Sequence, residues 1–157
     1  MKSAVFALVF ALASLALAAP AGAQATPGTT GAIRIGVIGP LSGPSADFGL
    51  PMLNGVKLAI DEINSFGGYL GRRLELVIKH DQANPELGLK LSQELVREKV
   101  IAAIGFCNTG VAMKSIDVFQ ASRTPLIVPC TTGTPVTNRF PPTESYIFRY
   151  APPDAIL

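Results

Sequence analysis

Residues 33–39, IRIGVIG, run into 40–50, PLSGPSADFGL, and then into 51–66, PMLNGVKLAIDEINSF. The first piece is a short apolar run, the mark of a buried strand. The last is helical. Met52, Val56, Ala59, Ile60 and Ile63 fall at i, i+4, i+7, i+8 and i+11, one face of a 3.6-residue period. Pro51 suits a first turn, and Gly67-Gly68 supplies the stop. A strand, a glycine- and serine-rich loop and an amphipathic helix thus follow one another. The same alternation continues downstream. Residues 74–80 read as a second strand. Asn84-Pro85-Glu86 then opens a helix with a capping side chain, a first-turn proline and an early acid, and Leu87, Leu91 and Leu95 keep its spacing. A third strand is expected over 101–106 and a third helix over 109–122, with Ala112, Ile116 and Phe119 inward. Residues 126–129 and 146–150 read as the fourth and fifth strands. The pattern predicts the α/β class: a Rossmann-like parallel sheet with helices on both faces. Such sheets bind ligands outside the carboxyl ends of their strands, at a topological switch point. That directs attention to the loops 40–50, 81–84, 107–110 and 130–138.

Composition narrows the chemistry. The 157 residues carry 13 basic and 11 acidic side chains, a net charge of +2. That leaves no basic excess to displace counterions from nucleic acid, so no nucleic-acid partner is expected. Hydrophobic residues make up 48% and charged residues 15%, which excludes a disordered chain. Two cysteines are too few for a disulfide scaffold, and one histidine is too few for an ordinary zinc site. Neither a metal nor a cofactor is expected.

Residues 1–23 have the three parts of a secretory signal peptide: Lys2, an apolar run over 4–19, and the small residues Ala21-Gly22-Ala23 before Gln24. The run is short for a membrane anchor, which needs about 20 apolar residues. Export is therefore expected, with cleavage after Ala23. Residues 24–32 read as a flexible tail and 33–157 as the folding unit.

Each loop admits a functional and a plainer reading. The 39–49 segment lacks the G-x-G-x-x-G spacing and the G-K-[ST] of nucleotide loops. Its Phe48 reads equally as core packing or as an aromatic pocket wall. Thr109 opens a helix directly after a strand, where its hydroxyl and the following N–H groups suit an anion, or where it simply caps its own helix. Cys130, Thr131, Thr132 and Thr134 follow a buried strand with no charge, a set of donors and acceptors suited to a small zwitterion. His80 beside Asp81 is the one candidate acid–base couple, or else a solvated strand end. Cys107 and Cys130 end neighbouring strands and read either as a disulfide or as two small buried thiols.

The stretches IRIGVIGPLSGPSADFG, NGVKLAIDEINSFGGYLGRRLELVIKHDQANP, IGFCNTGVA and TPLIVPCTTGTP, in this order, resemble the periplasmic solute-binding proteins of ABC transporters, in the leucine/isoleucine/valine branch. The resemblance runs from Ile33 to the last residue. It implies a two-lobed type I binding protein whose lobes close on the ligand by hinge motion, with 33–157 an incomplete N-terminal lobe. It also implies a periplasmic location, delivery to an inner-membrane permease, and no enzymatic activity. Carried over by position, it puts Phe48 against the ligand, Thr109 on the ligand carboxylate, and Cys130 and Thr132 on the ammonium end through a backbone carbonyl and a hydroxyl with its N–H. Asn108, Thr131 and Tyr150 are possible further contacts. The disulfide frequent in the family does not transfer, because Ala83 stands at its first half-cystine position. A ligand-sensing receptor of the same fold, for an amide or amino acid, is the alternative function. An enzyme using His80 and Asp81 is a more distant one.

Overall fold

A computed structural model describes residues 31–156. The signal peptide expected at 1–23, and the tail at 24–32 as far as residue 30, lie outside the described residues. In chain order the elements are β1 (Ile33–Gly39), α1 (Ala46–Ser65), β2 (Leu74–His80), α2 (Pro85–Arg97), β3 (Ala102–Ile104), α3 (Thr109–Ser122), β4 (Leu126–Val128), α4 (Pro135–Asn138) and β5 (Ile147–Arg149). The five strands are all parallel, in the order β2-β1-β3-β4-β5.

This order dictates where the helices go. The step from β1 to β2 runs one way along the sheet, and every later step runs the other way. Right-handed crossovers then put α1 on one face and α2, α3 and α4 on the opposite face. The core sits beneath the second group. Ile38, Ala103, Leu126 and Val128 from the strands meet Leu95, Ile116 and Phe119 from the helices, and all seven are fully buried. Phe106 packs edge-to-face on Phe119, with ring centroids 6.3 Å apart. Each such side chain contributes about 1.5–3 kcal/mol by leaving water. α2 and α3 approach closely at Gly88, where a Cβ would lie 2.3 Å from Val111 Cγ1.

The α1 face is covered less completely. Val56 and Ile60 of α1 overlie Ile35 and Leu74, but no helix among the described residues lies over β4 and β5 on that side. Ile127 is 44% exposed and Phe148 53%. An open apolar groove of about 390 Å³ runs between α1 and Ile104 and Ile127.

Two expectations need correction. α1 begins at Ala46 rather than at Pro51, so Pro51 lies inside the helix. Its missing N–H forfeits a bond to the Asp47 carbonyl, and both residues are exposed, so water replaces that bond. The last three strands are shorter than their apolar runs. Ile101, read as strand, donates its N–H to the Arg34 carbonyl (2.9 Å) yet has an exposed side chain.

Candidate ligand-binding site

The switch point falls between β2-β1 and β1-β3, so the crevice opens above the ends of β1 and β3. Three segments meet there: the β1–α1 loop with the first turn of α1, the β3–α3 turn, and the loop after β4.

The β1–α1 loop is held from below by His80 at the end of β2. His80 Nδ1 accepts the Leu41 N–H at 2.9 Å, and Nε2 lies 2.9 Å from Ser42 Oγ. Accepting on Nδ1 leaves the proton on Nε2, pointed at the Ser42 oxygen. Both ring nitrogens are therefore engaged by the loop. Asp81 is fully buried. Its Oδ1 accepts the Ala83 N–H at 2.9 Å, and Oδ2 has no partner among the described residues. Burial pushes this carboxyl above the ordinary range, against the opposing pull of the Ala83 N–H and His80. His80 is engaged mainly by the β1–α1 loop and Asp81 by the Ala83 N–H, and no hydrogen bond joins their side chains.

Phe48 lies in the first turn of α1, not in a loop. It is 64% exposed, which removes the core-packing reading. Its carbonyl stands 3.9 Å from Cys130 Sγ, so α1 touches the loop after β4. Asn108 ties the first and second segments together, donating from Nδ2 to Ser45 Oγ at 3.2 Å.

Asn108, not Thr109, is the cap residue of α3, and its side chain makes no capping bond. Thr109 is the first helical residue. α2 is built differently: Asn84 Oδ1 takes the Glu86 and Leu87 N–H groups, and Glu86 places a negative charge in the first turn. α3 has no acid in its first turn. Its amino end therefore keeps its partial positive charge without a side-chain cap.

Thr109 packs directly against the loop after β4. A Cβ on Gly133 would lie 2.3 Å from Thr109 Cγ2 and 2.9 Å from Oγ1. Arg149 of β5 shapes that loop from behind, donating to the carbonyls of Thr132 (3.1 Å) and Gly133 (2.8 Å). The Asp154 N–H also reaches the Thr132 carbonyl, at 2.9 Å. With its carbonyl engaged, Thr132 has its hydroxyl and N–H to offer a ligand. Thr131 is different. It is buried, and its hydroxyl donates to the Phe106 carbonyl at 2.7 Å, a bond that pins this loop to the end of β3. Tyr150 donates its N–H to Val128, but its ring is 86% exposed at the sheet edge. Phe48, Asn108, Thr109, Cys130 and Thr132 thus converge. Thr131 supports them from beneath, and Tyr150 follows Arg149 at the end of β5.

Cys107 and Cys130 are free and half-buried. They lie three residues beyond the register pair Ile104–Ile127, so they face each other across neighbouring strands. The influence of each thiol on the other, ahead of burial, pushes Cys107 up and holds Cys130 below the ordinary thiol range. Sequence reasoning missed two participants. Met52, read as core, places Sδ 4.0 Å from Cys107 Sγ. Arg149 gave no signal beyond its place at a strand end.

Residues 32–157 match the family described as periplasmic binding protein. Among curated proteins, the chain is 34% identical over 107 residues to the Leu/Ile/Val-binding protein BraC3 of Rhizobium johnstonii, covering 68% of this chain and 29% of that one. The Leu/Ile/Val-binding protein of Escherichia coli is 26% identical over the same length. The chain thus spans under a third of these relatives. Among solved structures, the branched-chain amino acid transporter substrate-binding protein LivJ of Streptococcus pneumoniae, in complex with isoleucine, superposes with a TM-score of 0.73 at 28% identity. That match covers 80% of this chain and 35% of the other. A solute-binding protein of Rhodopseudomonas palustris in complex with 3,4-dihydroxybenzoic acid superposes at 0.66 with 30% identity, covering 75% and 31%. The sheet order, the loops gathered at its carboxyl edge and these matches agree: the chain belongs to the periplasmic binding protein family.

Proposed function

We propose that the chain supplies the first lobe of an exported substrate-binding component of an ABC transporter. It takes a branched-chain amino acid, or a related small carboxylate or amide, closes on it by hinge motion and delivers it to the permease. The observation that carries this reading is the amino end of α3. It lacks a side-chain cap and a first-turn acid, and Thr109 at its first position packs on Gly133. A carboxylate there accepts charge-assisted hydrogen bonds from the Thr109 hydroxyl and open N–H groups. Isoleucine and 3,4-dihydroxybenzoate, held by two structural relatives, share a carboxylate and little else. The Cys130 carbonyl and the Thr132 hydroxyl then face the other end of the ligand, with the exposed Phe48 ring as a wall.

The partly bare sheet face at Ile127 and Phe148 supports reading 33–157 as an incomplete N-terminal lobe. The second wall of the cleft, and an acid to balance an ammonium, then belong to the remainder of the protein. Calorimetric titration with leucine, isoleucine, valine and 3,4-dihydroxybenzoate tests the site. Thr132→Ala is expected to weaken the preferred ligand by about 1–3 kcal/mol, the cost of a lost bond and its unmade partner. Unchanged affinity for every ligand refutes the site as drawn.

A further inference from the structure

Arg149, the last residue of β5, lies in register with Val128, just before the loop that carries Cys130 and Thr132. One guanidinium nitrogen, Nη1, donates to two consecutive carbonyls of that loop, Thr132 at 3.1 Å and Gly133 at 2.8 Å. Arg149 joins none of the ion pairs among the described residues. We propose that Arg149 is a positioning residue for the ligand carboxylate: it turns the Thr132–Gly133 peptide so that the Gly133 N–H becomes a carboxylate donor beside Thr109. This role presupposes the carboxylate site at the amino end of α3 and adds a donor on its other side.

Peptide planarity carries the geometry. The Thr132–Gly133 peptide is trans, so its C=O and N–H point in opposite directions. Two donors hold the carbonyl on the β5 side, Arg149 Nη1 and the Asp154 N–H at 2.9 Å. The N–H of Gly133 is thereby aimed at the β3 side, since β4 lies between β3 and β5. β3 is the strand that leads into Thr109. The two residues touch: a Cβ on Gly133 would lie 2.9 Å from Thr109 Oγ1. No backbone carbonyl among the described residues accepts the Gly133 N–H. The Gly133 carbonyl is held too, by Arg149 and by the Val136 N–H at 3.1 Å, so two successive peptides are fixed.

The charge of the anchor matters as well as its place. A donor on a carbonyl polarises the whole peptide and strengthens its N–H as a donor in turn, and a cationic donor does so most. The same positive charge attracts a carboxylate and does little for a neutral amide. Both bonds leave from a single nitrogen, so the ammonium of a lysine, with three N–H donors, can replace them. Methionine keeps an apolar stem and can make neither.

The test compares leucine with leucinamide, by calorimetry, on the full chain as parent, Arg149→Met and Arg149→Lys. Amide-resolved NMR follows hydrogen exchange at Gly133 with and without leucine. Arg149→Met is expected to weaken leucine by about 5- to 10-fold, the worth of one such bond, and to leave leucinamide within about twofold. Arg149→Lys is expected to restore most of the leucine affinity. In the parent, leucine slows exchange at the Gly133 amide; in Arg149→Met it does not. Circular dichroism establishes that each variant is folded, and if Arg149→Met does not fold, exchange at Gly133 in the parent decides. A parent that prefers leucine, with a folded Arg149→Met that keeps the whole preference or weakens both ligands alike, overturns the role of Arg149 and leaves the α3 site standing. Gly133 exchange that ignores leucine in the parent overturns the proposed donor. A parent that does not distinguish the two ligands overturns the carboxylate site itself, and this role with it.

Discussion

Gly133→Ala probes the contact on which the proposed carboxylate site depends. The backbone at Gly133 lies outside the left-handed region, so alanine meets no conformational penalty there. The whole effect is steric. The new Cβ would lie 2.3 Å from Thr109 Cγ2 and 3.2 Å from Thr109 Cβ. Ordinary contact begins near 3.4 Å, so one side must retreat by about 1 Å, and Thr109 is short and anchored to the start of a 14-residue helix. Overpacking of this kind costs about 1–3 kcal/mol. The assay is urea unfolding of the parent, the single variant and Gly133→Ala with Thr109→Ser. Serine removes Cγ2, the nearest obstacle, and keeps the hydroxyl, leaving the 2.9 Å approach of Oγ1 and the 3.2 Å approach of Cβ. The double variant should therefore recover about half of the loss, a coupling of order 1 kcal/mol between residues in contact. A Gly133→Ala chain as stable as the parent refutes the packing. A loss that Thr109→Ser leaves untouched shows that the strain falls elsewhere.

Two further predictions concern the frame of the site. His80→Ala orphans the part-buried Leu41 N–H and should cost about 1–3 kcal/mol, with faster hydrogen exchange at the Leu41 amide; unchanged exchange contradicts the latch. Lys79 reaches Glu98 at 2.7 Å and Glu94 at 3.2 Å. Chiefly through Glu98, Lys79 is raised above the ordinary lysine range, and Glu98 is lowered below the ordinary glutamate range by Lys79. The contribution of the pair is therefore full between those ranges. It is lost as pH falls through the depressed Glu98 range and as pH rises through the raised Lys79 range. With both side chains partly in water, a double-mutant cycle of Lys79→Met and Glu98→Gln should give about 0.5 kcal/mol near neutral pH, falling at both extremes. A coupling that does not vary with pH contradicts the assignment.

Much of the frame was legible because local and global signals agree. β1, β2 and α3 end where the apolar runs and periodicity end, and Asn84-Pro85-Glu86 caps α2 as read. The strand order was not legible, since parallel pairing depends on contacts far apart in the chain. Pro51 misled about α1: a proline signals a first turn, yet an exposed one is tolerated a turn later. α4 is four residues long, too short to show a period. At the site, hydroxyl-rich composition could not separate Thr132 from Thr131, whose hydroxyl is committed to the Phe106 carbonyl. Met52 looked like core because nothing in its own helix announces the Cys107 thiol beside it.

The central claim is that the amino end of α3 and Thr109 receive a carboxylate. It is tested most directly by comparing leucine with leucinamide, which keeps the side chain and ammonium but replaces the carboxylate. Affinities are measured by calorimetry for the parent protein and for Thr109→Ala. The account predicts that the parent prefers leucine by about 1.5–3 kcal/mol, the range of hydrogen bonds to charged groups, and that Thr109→Ala loses a large part of that preference. Equal binding of acid and amide by the parent, or a preference that survives Thr109→Ala in full, would contradict it.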